Sequence, residues 1–274
     1  MSADASAGIE GFDSEAVAEI RSRLASVKQQ GIRIGFAIES GSRAWGFPSP
    51  DSDYDCRFVY VRPVADHIGL ISHRDVIEFP IVGDIDTGGW DLRKVLLLAL
   101  KGNAVVVEWV KSPIAYEEEP GFRSRLSNVL DEIMLPPKLA LHYVGLLRSH
   151  WQTHGDGPIK LKKLLYAIRP AIALEWMHSN GFQKLPPMNM MQCLAAVTID
   201  EDFRKAIHEL VIVKGRTREM GEGLPPKRIQ SFLAASIERY QDLAEQIKLD
   251  QGADARAQHL ADIFYQQEVR RAVG

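Results

Sequence analysis

Glu39-Ser40-Gly41-Ser42-Arg43-Ala44-Trp45-Gly46, followed by Ser52-Asp53-Tyr54-Asp55-Cys56-Arg57, sets a small-residue turn a fixed distance ahead of two carboxylates. The run Ile32 to Ile38 before it reads as a strand, and so does Cys56 to Val61 after it. Side chains alternate faces along a strand, so Asp53 and Asp55 are expected on one side. At roughly 3.3 Å of rise per residue their Cα atoms would lie about 6–7 Å apart. Two carboxylates so spaced can hold divalent cations between them. The Gly-Ser turn offers backbone N–H groups and a hydroxyl to a phosphate. These are the parts of a phosphoryl- or nucleotidyl-transfer site.

Ten residues separate Ser42 from Asp53. A Gly-Ser pair followed at this interval by Asp-x-Asp in a strand resembles the signature of the DNA polymerase beta-like nucleotidyltransferase superfamily. The longer string GSRAWGFPSPDSDYDCRFVYVRP at 41–63, with GGWDLRK at 88–94, EWVKSPIAY at 108–116 and KLKKLLYAIRP at 160–170, is more specific. It resembles the predicted nucleotidyltransferases often encoded beside RNA ligases, the YcgL-like or RlaP group. The resemblance implies an α+β fold, with a small mixed β-sheet catalytic domain followed by a helical domain. It also implies a metal-dependent reaction and a nucleotide donor. It does not fix the acceptor.

The chain has 274 residues, 46% of them hydrophobic, enough for a real core and one or two domains. No apolar run has membrane-spanning length. The N-terminal stretch is small and acidic, without a basic and apolar secretory pattern, and residues 1–12 are expected to be disordered. The two cysteines, Cys56 and Cys193, are expected to be buried apolar groups in a reducing cytosol, and they argue against a cysteine-based zinc site. Net charge is −3, unevenly spread. Residues 1–134 hold 14 Lys and Arg against 21 Asp and Glu; the remainder holds 19 against 15. An acidic half suits divalent metals, and a mildly basic half suits triphosphate or nucleic acid.

The pattern divides into a catalytic region over 13–134 and a helical region over 135–274. Ser14 to Gln29 reads as an amphipathic helix with Ser14 as its cap. Strands are expected over 75–82 and 84–90, then a helix over 92–101. Val105 to Val110 fits strand or buried helix equally. Pro113 to Gly121, with its three glutamates, reads as a surface connection. Helices are expected over 137–153, 159–179, 188–196, 201–213, 227–249 and 255–272.

Asp53 and Asp55 are the leading candidates for catalytic metal ligands, holding two magnesium ions with manganese as a substitute. The resemblance implies a third carboxylate from a neighbouring strand. Asp86 best fits the family layout, but Asp91, which N-capping alone would explain, and Glu78, between Ile77 and Phe79, stay open. Gly41 and Ser42 are expected against the donor's β- and γ-phosphates, with Arg43 either adding charge or standing as a solvated turn residue. Arg57 shares the alternation of the two acids and could orient Asp55, touch phosphate or form an ordinary ion pair. Trp45 and Phe47 read as packing residues. In the helix over 159–179, Lys162, Tyr166 and Arg169 fall in one narrow sector bordered by Lys163. A basic face with one tyrosine can hold a triphosphate and stack a base, and Pro170 is expected to kink or divide the helix. The partners expected are an NTP and an acceptor, an RNA end by analogy, with no membrane and a cytoplasmic setting. Rival readings are AMP transfer to a protein or small molecule, and an inactive nucleotide- or RNA-binding module.

Overall fold

The computed structural model describes residues 8–151, 157–217 and 221–271. Helix α1 (Ser14–Lys28) leads into strand β1 (Arg33–Ser40), the one-turn helix α2 (Ser42–Trp45) and strand β2 (Tyr54–Val61). After α3 (Val64–Ile68) come β3 (Val76–Glu78) and β4 (Ile85–Asp91), then α4 (Leu92–Leu100), α5 (Ala104–Val110), β5 (Ala115–Glu118) and α6 (Phe122–Ile133). The rest of the described chain is helical apart from a two-residue ladder: α7 (Pro136–Trp151), β6 (Ile159–Lys160), α8 (Leu161–Ser179), α9 (Met190–Ala196), α10 (Glu201–Arg216), β7 (Glu222–Gly223), α11 (Lys227–Gln246) and α12 (Ala253–Arg271). The fold is α+β.

Strands β1 to β5 form one mixed sheet in the order β3-β4-β2-β1-β5. Only β2 and β4 run parallel. One sheet face is covered by α1, whose Val17, Ile20, Leu24 and Val27 meet Cys56, Phe58 and Tyr60. The other face opens onto a larger core that includes Phe36, Val59 and Leu92 and continues through Leu164, Ile172 and Tyr240 of the helical array. Alternation along β2 decides this division: Val59 and Val61 point to the helical side, Phe58 and Tyr60 to α1.

Several local readings change. The cap of α1 is Asp13, whose carboxylate accepts from the backbone N–H groups of Glu15 and Ala16 at 2.8 and 2.9 Å, one residue ahead of Ser14. The strand expected over 75–82 is confined to β3, because Pro80 has no N–H for the ladder. Val105 to Val110 is helical, started by the Asn103 side chain accepting from Val105 N. The glutamate run is not a surface connection. It contributes edge strand β5, with Tyr116 buried and Glu117, Glu118 and Glu119 paired to Lys28, Arg123 and Arg33. Helix α6, unexpected from the sequence, buries Phe122, Leu126, Leu130 and Ile133 at helical spacing. Helix α8 runs through Pro170 undivided. Of the stretch expected to be disordered, residues 1–7 lie outside the described residues, while Phe12 packs edge-on against Tyr54 and Tyr116. Among the described residues no helix is long and apolar enough to cross a membrane.

Candidate active site

Asp55 is the second residue of β2, and its register partner on parallel β4 is Asp86. Arg57, two residues on, lies beside both: Nη2 is 2.5 Å from Asp86 Oδ2 and 3.7 Å from Asp55 Oδ1. Asp53 lies just ahead of the strand, in an exposed position, rather than within it. Burial pushes the Asp55 carboxyl above its ordinary range and Arg57 pulls it back; the negative charges of Asp86 and Asp53 push it up again, against a smaller pull from Lys162. Two acids and a lysine of the helical half thus act on one carboxyl.

The turn between β1 and β2 closes over this group. Gly41 has φ +72° and ψ −156°, a backbone conformation that side chains rarely adopt, and a Cβ there would overlap Asp55 Oδ2. A glycine is required for the turn to lie against the carboxylate. The Ser42 hydroxyl is 2.8 Å from that of Ser52, which also accepts from Ser49 N at 2.8 Å. Arg43 is tied to the loop backbone. Its guanidinium donates to the carbonyls of Asp53 (3.1 Å) and Ser52 (2.6 Å) and stacks 4.1 Å from the Tyr54 ring centre. It ties the turn to the segment that carries Asp53.

Behind the sheet, Glu39 is fully buried on the α1 side. Its carboxyl accepts from Asp55 N at 3.1 Å and from the Tyr116 hydroxyl. Burial pushes its pKa up to about 8, so at neutral pH it holds a proton and props the Asp55 backbone without adding charge. Nothing in the motif singled out Glu39; an acid at an inward strand position was the available signal.

The other expected acids have separate employment. Asp91 caps α4, accepting from Arg93 N at 2.8 Å. Glu78 is exposed and paired with Arg74 at 2.6 Å.

From the helical half, Tyr166 stands edge-on to Trp45 with ring centres 5.4 Å apart. Burial raises its hydroxyl pKa, and the charges of Asp55 and Asp53 raise it further. Lys162 and Lys163 are exposed at the start of α8. Arg169 departs from the expected basic face: it is buried, paired with Glu108 of α5, and stacked 4.3 Å from the Trp45 ring centre. The pairing partner, 61 residues earlier, is what turns it inward. One cation was not foreseen. Lys214 on α10 is buried, with its amine 4.6 Å from the Phe47 ring centre and 5.9 Å from that of Tyr166. Its signal was a lysine in register with buried Phe203 and Ile207 on an apolar helix stripe.

The acids offer only hard oxygen donors, which suit magnesium or manganese rather than softer metals. Among the described residues no three ligating side chains converge tightly enough to hold an ion by themselves. That donor set fits a cation whose shell is completed by substrate phosphates, the usual arrangement for magnesium.

The sequence model of the RlaP family, described as the RNA repair pathway DNA polymerase beta family, matches residues 17–265, and the chain belongs to that family. Membership places it in a class of DNA polymerase beta-like nucleotidyltransferases, which are transferases. It is 34% identical over 221 residues to the uncharacterized protein YcgL of Bacillus subtilis (strain 168), covering 80% of this chain and 84% of that one. Among solved structures, a nucleotidyltransferase-like protein from Exiguobacterium sibiricum 255-15 matches 94% of this chain and 75% of its own, at 11% identity and a TM-score of 0.29. That overlap is too slight to bear on the fold or the site.

Proposed function

We propose that this chain moves a nucleoside monophosphate from an NTP to an acceptor hydroxyl or phosphate, with release of pyrophosphate. The observation that carries the reading is the alignment of Asp55 with Asp86 on adjacent strands, under a turn whose glycine lies against the Asp55 carboxylate. Asp53, Asp55 and Asp86 would hold divalent magnesium, or manganese in its place. When bound, the cations supply charge neutralisation at the phosphates and at the leaving pyrophosphate oxygen. The chain's own groups do the rest. Gly41 and Ser42 bring backbone N–H groups and a hydroxyl to the β- and γ-phosphates. Lys162 and Lys163 add positive charge from the mouth of α8. Tyr166 offers the uncovered part of its partly buried ring to the base. Arg57 holds Asp86 in place, and Asp86 accepts the proton of an attacking hydroxyl as its oxygen bonds to the α-phosphorus. Arg43 and Arg169 serve by fixing the turn and Trp45, not by touching phosphate. Catalysis of this kind is positioning plus electrostatic stabilisation.

The family's description as an RNA repair polymerase group favours an RNA end as acceptor. The test incubates the protein with magnesium, each α-labelled NTP in turn, and total RNA. Label on RNA that disappears in Asp53→Ala and Asp55→Ala supports the reading. Label that appears equally with both variants contradicts it, and label on protein instead of RNA moves the acceptor to a side chain.

A further inference from the structure

Lys214 is the one fully buried ammonium group among the described residues that has no hydrogen-bond partner there. It lies near the end of α10, where the next residue, Gly215, approaches the carbonyl of Pro48 in the segment that follows the Gly-Ser turn. Phe47 comes from that segment, and Tyr166 from α8. The amine therefore sits where the helical half meets the turn. Besides the two ring faces, the charges that act on it are those of Lys162, which opposes it, and Asp51, which favours it. Burial and Lys162 bring its pKa down to about 8.

An ammonium taken out of water without an anion is costly, and a lysine kept in such a place calls for a reason. Packing alone would be served better by methionine or leucine. A buried lysine that feels the charge of a second, exposed lysine, beside a turn that lies on a carboxylate, is short of one thing, a polyanion.

We infer that Lys214 is a binding residue for the polyphosphate chain of the nucleotide, reached when the partly buried Tyr166 ring moves aside. This rests on the nucleotidyl-transfer reading above. It adds that α10 contributes a charge to the donor site from the helical half, which already packs on the Gly-Ser turn. The ring faces of Phe47 and Tyr166 hold the amine in the absence of ligand, a weak cation–π substitute that a phosphate oxygen displaces.

The test uses the full chain and inorganic tripolyphosphate with magnesium, which removes any question of base preference. A nonhydrolysable ATP analogue is run in parallel. Calorimetry on wild type, Lys214→Met and Lys214→Gln should show at least tenfold weaker tripolyphosphate binding in both variants, with a shallower dependence on salt. The ligand-free Tm should be equal or higher for Lys214→Met. Equal affinity in wild type and Lys214→Met overturns the assignment while leaving nucleotidyl transfer intact. A large fall of the ligand-free Tm in both variants also overturns it, in favour of a structural lysine. Wild type that binds neither probe overturns this assignment together with the nucleotidyl-transfer reading.

Discussion

Gly41→Ala puts the smallest possible side chain into the tightest contact of the candidate site. The backbone there, φ +72° and ψ −156°, lies in a region that only glycine adopts freely, and holding alanine in it costs about 1–3 kcal/mol. The added methyl would overlap Asp55 Oδ2 and lie 3.1 Å from Asp55 Cγ. Ordinary carbon contacts need about 3.5–4.0 Å, so either the turn or the carboxylate must move. In a positioned active site a displacement near 1 Å costs about 100-fold in rate. Two measurements separate the effects. Thermal melts should fall by about 2–12 °C, the shift expected for 1–3 kcal/mol in a chain of this size. Pyrophosphate release with magnesium, NTP and RNA should fall about 100-fold or more at a temperature where the variant is still folded. A folded Gly41→Ala protein with wild-type turnover would refute the claim that the turn and Asp55 act as one unit.

Glu108→Ala leaves the buried Arg169 guanidinium without its partner, and stability should drop by about 3–5 kcal/mol in denaturant titration; a loss below about 1 kcal/mol contradicts the pairing. Asp86→Asn should abolish pyrophosphate release at unchanged Tm. Asp91→Ala should instead lose about 1 kcal/mol of stability as α4 loses its cap, with turnover little changed; the opposite pattern reassigns the third acid. Glu39 has a folded pKa of about 8 against an ordinary value of 4.5, so its contribution to stability is full below about 4.5 and is lost as pH rises through about 8. Glu39→Gln should flatten that part of the stability profile, and an unaltered slope between pH 5 and 8 rules out a protonated Glu39.

The centre of the fold was legible because strand, turn and strand are adjacent in sequence and obey simple periodicities. Alternation alone puts Val59 and Val61 on one face and Phe58 and Tyr60 on the other. Helix α1 was legible for the same reason, from a stripe that needs no knowledge of its partner. What escaped depends on partners far away in the chain. The glutamates of β5 look like a solvated run until Lys28, Arg33 and Arg123 come alongside. Arg169 shares a helical sector with Lys162 and Tyr166, yet Glu108 draws it inward. Arg43 stands beside Ser42 in sequence, but the carbonyls of Ser52 and Asp53 take its guanidinium. Lys214 broke an apolar stripe, which a pattern search reads as noise unless the other side of the contact is known. Charged side chains were thus the least legible, since a long-range ion pair decides their direction and periodicity does not record it.

The proposed site places divalent cations on Asp53, Asp55 and Asp86, against the phosphates of an NTP lying on the Gly41-Ser42 turn. Crystals grown with manganese and a nonhydrolysable NTP, and measured at the manganese absorption edge, test it most directly. Anomalous peaks bonded to Asp53 and Asp55 are expected, with the triphosphate between them and the turn. Nucleotide bound elsewhere, with no anomalous peak beside those carboxylates, would contradict it.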